Sequence, residues 1–272
     1  MSLEAELERA RRLSTDEIMT AIESIGFECT RCGACCKAIN CGNEGGTSPQ
    51  SSTGSDDISS RSDIADAPEN DARGEGSSDG TRADEHTATI FPDEIRRLQD
   101  AAENTFERSY DWRDVARPMP YGLRSAEPKA DSTSGDRFVG ETFEWALEVD
   151  ECGNCAFYAE EEGIGQCTVH DDRPLVCRTY PFSLVVSDDF ELAAPLGSPV
   201  DREGPVRAHE CEGLGRDIDR DDAKELARVL KDRAIRELEE AIALVDRYEP
   251  TDVDGVVVHD SEGAKRPDGS PL

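Results

Sequence analysis

The sequence predicts an α+β protein with a small, irregular, cysteine-rich centre, flanking helices and a short antiparallel sheet or hairpin. Three observations carry this: helix-spaced apolar residues near both ends, a period-two stretch and a hairpin pattern between them, and ten cysteines gathered into groups. In the first group, residues 3–25 have helical spacing. Ser14 and Glu17 stand as a capping box before Ile18, Ala21, Ile22 and Ile25, and Gly26 is placed to stop the helix. Residues 42–88 hold Ser, Gly, Asp and Glu with Ile58 and Ile64 as the only large aliphatics, too little apolar area to offset ordering; a disordered acidic insertion is expected. Order is expected to resume at Thr89, with Pro92 at the first position of a helix of about three turns carrying Ile95, Leu98 and Ala102. Phe143 to Val149 alternates as a half-buried strand. Phe182–Val186 and Phe190–Ala193 flank Ser187-Asp188-Asp189 as a hairpin. A final helix from about Asp221 to Arg247 aligns Leu226, Leu230, Ala234, Leu238, Ile242 and Val245 on one stripe, and residues 249–272 are expected to form a disordered tail. The predicted organisation is therefore 1–41, helix and first cysteines; 42–88, insertion; 89–216, the rest of the cysteine domain; 217–248, helix; 249–272, tail.

A chain of 272 residues can bury a core without cross-links, so stability alone does not call for its cysteines. No apolar run is long enough for a membrane span, and the charged segment Met1–Leu13 lacks the apolar centre of a signal peptide, which points to a cytoplasmic protein with no membrane partner. Thiols are kept reduced there, so repeated C-x2-C spacing reads as metal ligation before it reads as disulfides. Asp and Glu number 61 against 30 Lys and Arg, a formal charge of −31. Such a field repels a phosphate backbone, which excludes nucleic acid as a partner. Acidity spread over the whole chain also suits concentrated salt, where screening removes self-repulsion, and implies a halophilic source.

Cys29-Thr30-Arg31-Cys32-Gly33-Ala34-Cys35-Cys36 places thiols at C-x2-C-x2-C spacing, which turns successive sulfurs around one ion or cluster. Bacterial ferredoxins open in the same way but finish on a Cys followed by Pro, which is absent here. Adjacent Cys35 and Cys36 diverge, so both do not serve one mononuclear ion; one bridges to a second metal or sits buried. Remote thiols follow at Cys152, Cys155, Cys167, Cys177 and Cys211. Between the metals the spacing leans toward an iron-sulfur cluster, with zinc as the alternative. No phosphate loop, dinucleotide fingerprint, H-E-x-x-H or G-x-S-x-G occurs, and no glycine-rich turn for a methyl-donor pocket is recognisable.

These residues resemble the YkgJ-type CxxCxxCC cysteine-cluster family, described as zinc- or iron-chelating domains. The resemblance rests on Phe27-x-Cys29-x2-Cys32-Gly33-x-Cys35-Cys36, then Cys155, Cys167, Arg173-Pro174-x2-Cys177-Arg178-x-Tyr180-Pro181-Phe182, and Cys211-x-Gly213-Leu214-Gly215. It implies a ligand set of Cys29, Cys32, Cys35, Cys36, Cys155, Cys167, Cys177 and Cys211, enough for two sites, and leaves Cys41 and Cys152 as extra. It also brings in relatives that are iron-sulfur oxidoreductases and a branch that methylates flagellin lysines, neither activity following from the shared motif.

Arg173 and Arg178 are expected to donate to thiolates and Tyr180 to cap the site from solvent, against bland readings of surface ion pairing and core packing. His170 completes a C-x2-H pair where the family tends to place an aromatic residue, which favours packing or solvation; His209, two residues before Cys211, could help there. His86 and His259 are assigned no role. Three readings result: a metal-binding protein with a redox role and an unknown redox or protein partner, an iron-sulfur-dependent protein-modifying enzyme, and a structural zinc scaffold whose last helix docks a partner.

Overall fold

A computed structural model describes residues 2–38, 87–125, 138–162, 164–187, 190–191 and 199–272. The 42–88 insertion lies, apart from 87–88, outside the described residues.

The expected single N-terminal helix is two, α1 (Leu3–Arg12) and α2 (Thr15–Ile25). Ser14 is the reason for the break. Its side chain accepts from the Glu17 N–H at 3.3 Å as the cap of α2, while the Leu13 carbonyl is taken by Lys231 Nζ at 2.7 Å. Gly26, at φ +76°, ends α2 as expected and leads directly into the first cysteines.

After β1 (Thr89–Ile90), α3 (Pro92–Phe106) runs for 15 residues, a turn longer than expected, and is followed by α4 (Trp112–Val115) and β2 (Ala116–Pro118). Next come β3 (Arg124–Ser125), β4 (Phe138–Thr142) and β5 (Trp145–Leu147). β5 is the middle strand of an antiparallel β1-β5-β2 sheet, with Ile90 opposite Trp145 and Ala116 opposite Leu147. All three of its residues are buried, so the half-buried alternation expected here gives way to a strand covered on both faces.

The hairpin β6 (Tyr158–Glu161) and β7 (Ile164–Cys167) leads through a 3-10 turn, His170–Asp172, into the short α5 (Leu175–Thr179). Strands β8 (Phe182–Ser187) and β9 (Phe190–Glu191) pair antiparallel, as the hairpin pattern predicts. β10 (Pro199–Glu203) and β11 (Val206–His209) extend them into a sheet of order β10-β11-β8-β9. α6 (Arg220–Arg247) begins behind Asp219, whose side chain accepts from the Asp221 N–H at 2.8 Å. Leu230, Ala234 and Leu238 of its stripe are buried, but Val245 is 65% exposed, so the stripe outruns the core.

The tail does not fray. Residues 256–265 form β12 (Val256–Asp260) and β13 (Gly263–Lys265), and β12 lies parallel to β4 in a sheet of order β13-β12-β4-β3. The β-branched run Val256-Val257-Val258 supplies the apolar strand. The polar residues beside it are satisfied internally: Asp260 Oδ2 accepts from Trp145 Nε1 and Lys265 Nζ, each at 2.8 Å. His259, assigned no role from sequence, is buried there, 3.3 Å from Glu141 and in contact with the Phe143 and Tyr248 rings.

Two apolar clusters result. One joins α1, α2, α6, β8 and β11 around Ile18, Ile22, Phe182, Leu184, Val206, Leu230 and Leu238. The other joins α3, the β1-β5-β2 sheet and β12 around Ile90, Ile95, Leu98, Trp145, Leu147, Phe157 and Val258. The cysteines line the second cluster and the loops that lead out of the first.

Candidate metal centre

Eight cysteines are free thiols: Cys29, Cys32, Cys35, Cys36, Cys155, Cys167, Cys177 and Cys211. Cys152 is disulfide-bonded, a departure from the all-thiol expectation that sets it apart from these eight, and Cys41 lies outside the described residues.

Backbone hydrogen bonds bring the thiols together from distant segments. On one side, the Glu28 N–H donates to the Gly213 carbonyl at 3.0 Å, Phe27 bridges to Leu214, and the Gly215 N–H donates to the Gly26 carbonyl at 3.0 Å. This lays the start of the first cysteine segment against the Cys211 loop. Gly213 is required there because a Cβ would run into the Glu28 carbonyl. On the other side, the Cys155 N–H donates to the Cys36 carbonyl at 2.8 Å and the Ala38 N–H to Asn154 Oδ1 at 3.0 Å. The Gly165 N–H donates to the Arg31 carbonyl at 3.0 Å, and Gly33, at φ +74°, sits against the Tyr158 ring, so the segment crosses the β6–β7 hairpin at the strand pair that carries Cys167 opposite Tyr158.

Cys177 is placed by the N-terminus of α5. Glu94, 3% exposed, accepts from the Leu175 N–H at 2.9 Å and from the Phe91 N–H at 3.2 Å. Arg97 donates to the Asp172 and Arg173 carbonyls at 3.3 Å. At the other end of α5 the buried Arg233, paired with Glu237 at 2.6 Å, donates to Thr179 Oγ1 at 3.0 Å. Sequence reading missed Glu94, Asn154 and Arg233. Each has a partner three or four residues away, Phe91, Asp150 and Glu237, but the groups that tie them to the site, Leu175, Ala38 and Thr179, lie dozens of residues away.

Cys35 Sγ and Cys36 Sγ are 3.8 Å apart, so the adjacent side chains converge where the sequence predicts divergence. The Cys36 thiol stabilises the Cys35 thiolate and, with Arg173 helping, draws Cys35 down to about 7, while Cys36 is pushed up by the same contact and by burial. Burial pushes Cys155 up to about 12, and it raises Cys167, Cys177 and Cys211 as well. Neighbouring thiolates add to this: Cys35 at Cys36, Cys155, Cys167, Cys177 and Cys211 alike, Cys155 and Cys177 at Cys36, and Cys32 and Cys29 at Cys211.

Arg173 favours the Cys35, Cys167 and Cys177 thiolates by its charge, and its Nε donates to the His170 carbonyl at 3.0 Å. Arg178 instead stands 3.7 Å from Glu225 on α6. Half-buried Tyr180 donates to the Glu210 carbonyl at 2.5 Å; its phenol is pushed up to about 12, by burial first and then by the Cys211 charge. His170 is exposed and 3.3 Å from Asp171, and His209 is buried with Nε2 3.0 Å from Ser183 Oγ. A cavity of about 280 Å³ opens beside Cys29, lined by Phe27, Ile218 and Leu226 with Glu28, Asp217, Asp219 and Asp222.

The donor set suits zinc or iron, for which thiolates are preferred ligands. Among the described residues no group of three or more His, Cys, Asp or Glu side chains stands in metal-holding geometry; it is the segments carrying the sulfurs that are brought together. No helix among the described residues is long and apolar enough to cross a membrane.

No curated protein and no solved structure matches the chain. The family model CxxCxxCC, whose description reads "Putative zinc- or iron-chelating domain", matches residues 28–212, more than half of the chain and the whole span from the first cysteine segment to the Cys211 loop. The chain belongs to the CxxCxxCC family of cysteine-cluster domains.

Proposed function

We propose that this protein chelates iron or zinc through Cys29, Cys32, Cys35, Cys36, Cys155, Cys167, Cys177 and Cys211, with an iron-sulfur cluster as the first choice and a redox role for it. The observation that carries the reading is the meeting of eight free thiols from segments up to 182 residues apart, Cys29 to Cys211, with charge felt between them. Buried sulfurs with raised pKa values favour this reading. Isolated thiols gain nothing from being packed together, whereas a bound cation displaces their protons and offsets their mutual repulsion. Arg173 would temper the negative charge of a thiolate site, and Tyr180 would shield its Cys211 side. Electron exchange is favoured over a purely closed role by the exposure of Cys29 and Cys35, which leaves an edge of the site open to a partner.

A structural zinc site is the second reading, favoured by the packing of Cys36, Cys155, Cys167 and Cys177 into an apolar cluster, where a metal would act as a cross-link. Anaerobic purification in high salt followed by metal and sulfide analysis and a visible spectrum separates the two. Iron, sulfide and broad visible absorption are expected; a colourless protein with stoichiometric zinc would establish the scaffold instead, and a protein free of both metals would remove the reading altogether.

A further inference from the structure

We infer that the eight thiols form two separate four-sulfur centres of different character: an inner one of Cys36, Cys155, Cys167 and Cys177, and an outer one of Cys29, Cys32, Cys35 and Cys211. This rests on the metal-binding reading above and goes beyond it by fixing number, membership and role.

Packing divides the thiols first. Cys155 belongs to the apolar cluster around Trp145 and Phe157, and Cys36, Cys167 and Cys177 pack against that same cluster. None of Cys29, Cys32, Cys35 and Cys211 belongs to either cluster or packs on one. Backbone pairing joins Cys36, Cys155 and Cys167 of the inner four to one another, while the Arg31–Gly33 stretch of the outer set also lies against the β6–β7 hairpin at Gly165 and Tyr158. Cys36 is bonded to Cys155 through the backbone, and β6 and β7 hold Cys167 opposite Tyr158, whose N–H donates to the Cys155 carbonyl at 2.9 Å. Cys29 instead follows directly from the Phe27–Leu214 bridge that lies beside Cys211. The packing boundary therefore runs between neighbouring Cys35 and Cys36, whose sulfurs stand 3.8 Å apart, so the two centres lie side by side. The outer set keeps three sulfurs at C-x2-C-x2-C spacing with a remote fourth, a pattern that closes around a single centre.

Their surroundings give the centres different roles. The inner sulfurs are fixed at both ends of α5 and across the hairpin, in contact with aliphatic and aromatic side chains, as a closed cross-link of the second core. The outer set has Cys29 and Cys35 exposed, and the 280 Å³ cavity opens beside Cys29. It is the centre that a partner or small chelator reaches. An ion leaves the outer centre first and without unfolding the protein.

Cobalt(II) titration of the anaerobic, metal-free full chain in high salt tests this, because the sulfur-to-cobalt absorption reports each filled tetrathiolate site. Two equivalents are expected for the unaltered chain. C29S and C211S should each retain one equivalent, C177S should retain one, and the double variant C177S/C211S none. A soluble chelator should remove one equivalent quickly with the far-ultraviolet circular dichroism unchanged, and the second only as that signal is lost. Saturation at one equivalent, or loss of all cobalt absorption in C29S, would overturn the two-centre arrangement while leaving metal binding intact. A chain that takes up no cobalt would overturn metal binding itself. Should C177S fail to fold, exposed Cys29 still decides, since C29S distinguishes one remaining equivalent from none.

Discussion

At the scale of single residues, Glu94 shows how a buried carboxylate can be required by a neighbouring site. Burial raises its pKa, while the Leu175 and Phe91 N–H groups and Arg97 pull it back toward the charged form. Its two N–H partners are the reason to keep a charge in an apolar surrounding, since one of them starts the helix whose third residue is Cys177. Replacing Glu94 by Ala leaves two buried donors unmatched, and a loss of about 2 kcal/mol in stability is expected from denaturant melts. Zinc affinity should fall with it. The conservative E94Q keeps one acceptor and should lose about half as much. Equal effects from both variants would mean that the carboxylate does not hold α5.

Among the elements, the β12–β13 hairpin depends on contacts that reach it from elsewhere. Glu141 on β4 accepts from the Thr251 N–H at 2.8 Å and from Thr251 Oγ1 at 2.6 Å, and from Tyr248 OH at 3.1 Å. The Thr251 bonds are the main cause of its depressed pKa, about 2 against an ordinary 4.5. A depressed carboxylate stabilises the fold above its unfolded pKa, and that contribution is lost as pH falls through the folded value. The unaltered protein should therefore exceed E141Q in stability by about 1 kcal/mol at pH 7, after allowing for exposure to solvent. The two should converge as pH falls from about 4.5 toward about 2. Urea melts at pH 7, 4 and 2 provide the comparison; a difference that stays constant across them would show that the Glu141 charge does not hold the segment after α6.

Over the whole molecule, charge sets the conditions under which these parts hold together. With 61 acidic and 30 basic side chains, at least half of the carboxylates have no basic partner even if every Lys and Arg makes one pair. Several pairs are shared: Arg228 serves both Glu225 and Asp232, and Arg236 both Asp93 and Glu240. Exposed pairs of this kind contribute little individually. The net repulsion should dominate at low ionic strength and be screened when the Debye length shrinks to about 3 Å in molar salt. A melting temperature at least about 10 °C higher in molar KCl than in dilute buffer is expected for a chain of this charge. Equal midpoints would remove the halophilic reading. A metal held by the four cysteines that belong to or pack on the second apolar cluster would act as a cross-link there and add to the stability of the fold.

Local chemistry was enough to determine the features whose partners are a few residues away: the Ser14 cap, the stop at Gly26, Pro92 at the start of α3, the long α6, and the clustered thiols of Cys29 to Cys36 as a candidate metal ligand group. Spacing could not say which thiols belong together. Cys36 and Cys155 are 119 residues apart and Cys29 and Cys211 are 182 apart, and sulfurs at such separation meet only through strand pairing and loop contacts that the local pattern does not encode. The same reason explains the tail. Val256-Val257-Val258 is a short apolar run among polar residues, and it becomes a buried strand only because β4 offers its edge and Trp145 and Lys265 satisfy Asp260. The sequence by itself determined the cysteine motif with its zinc- or iron-chelating chemistry and the long helix α6; the tertiary structure alone decided which thiol-bearing segments meet and that the last residues are folded, because both depend on free energy gained between residues far apart in the chain.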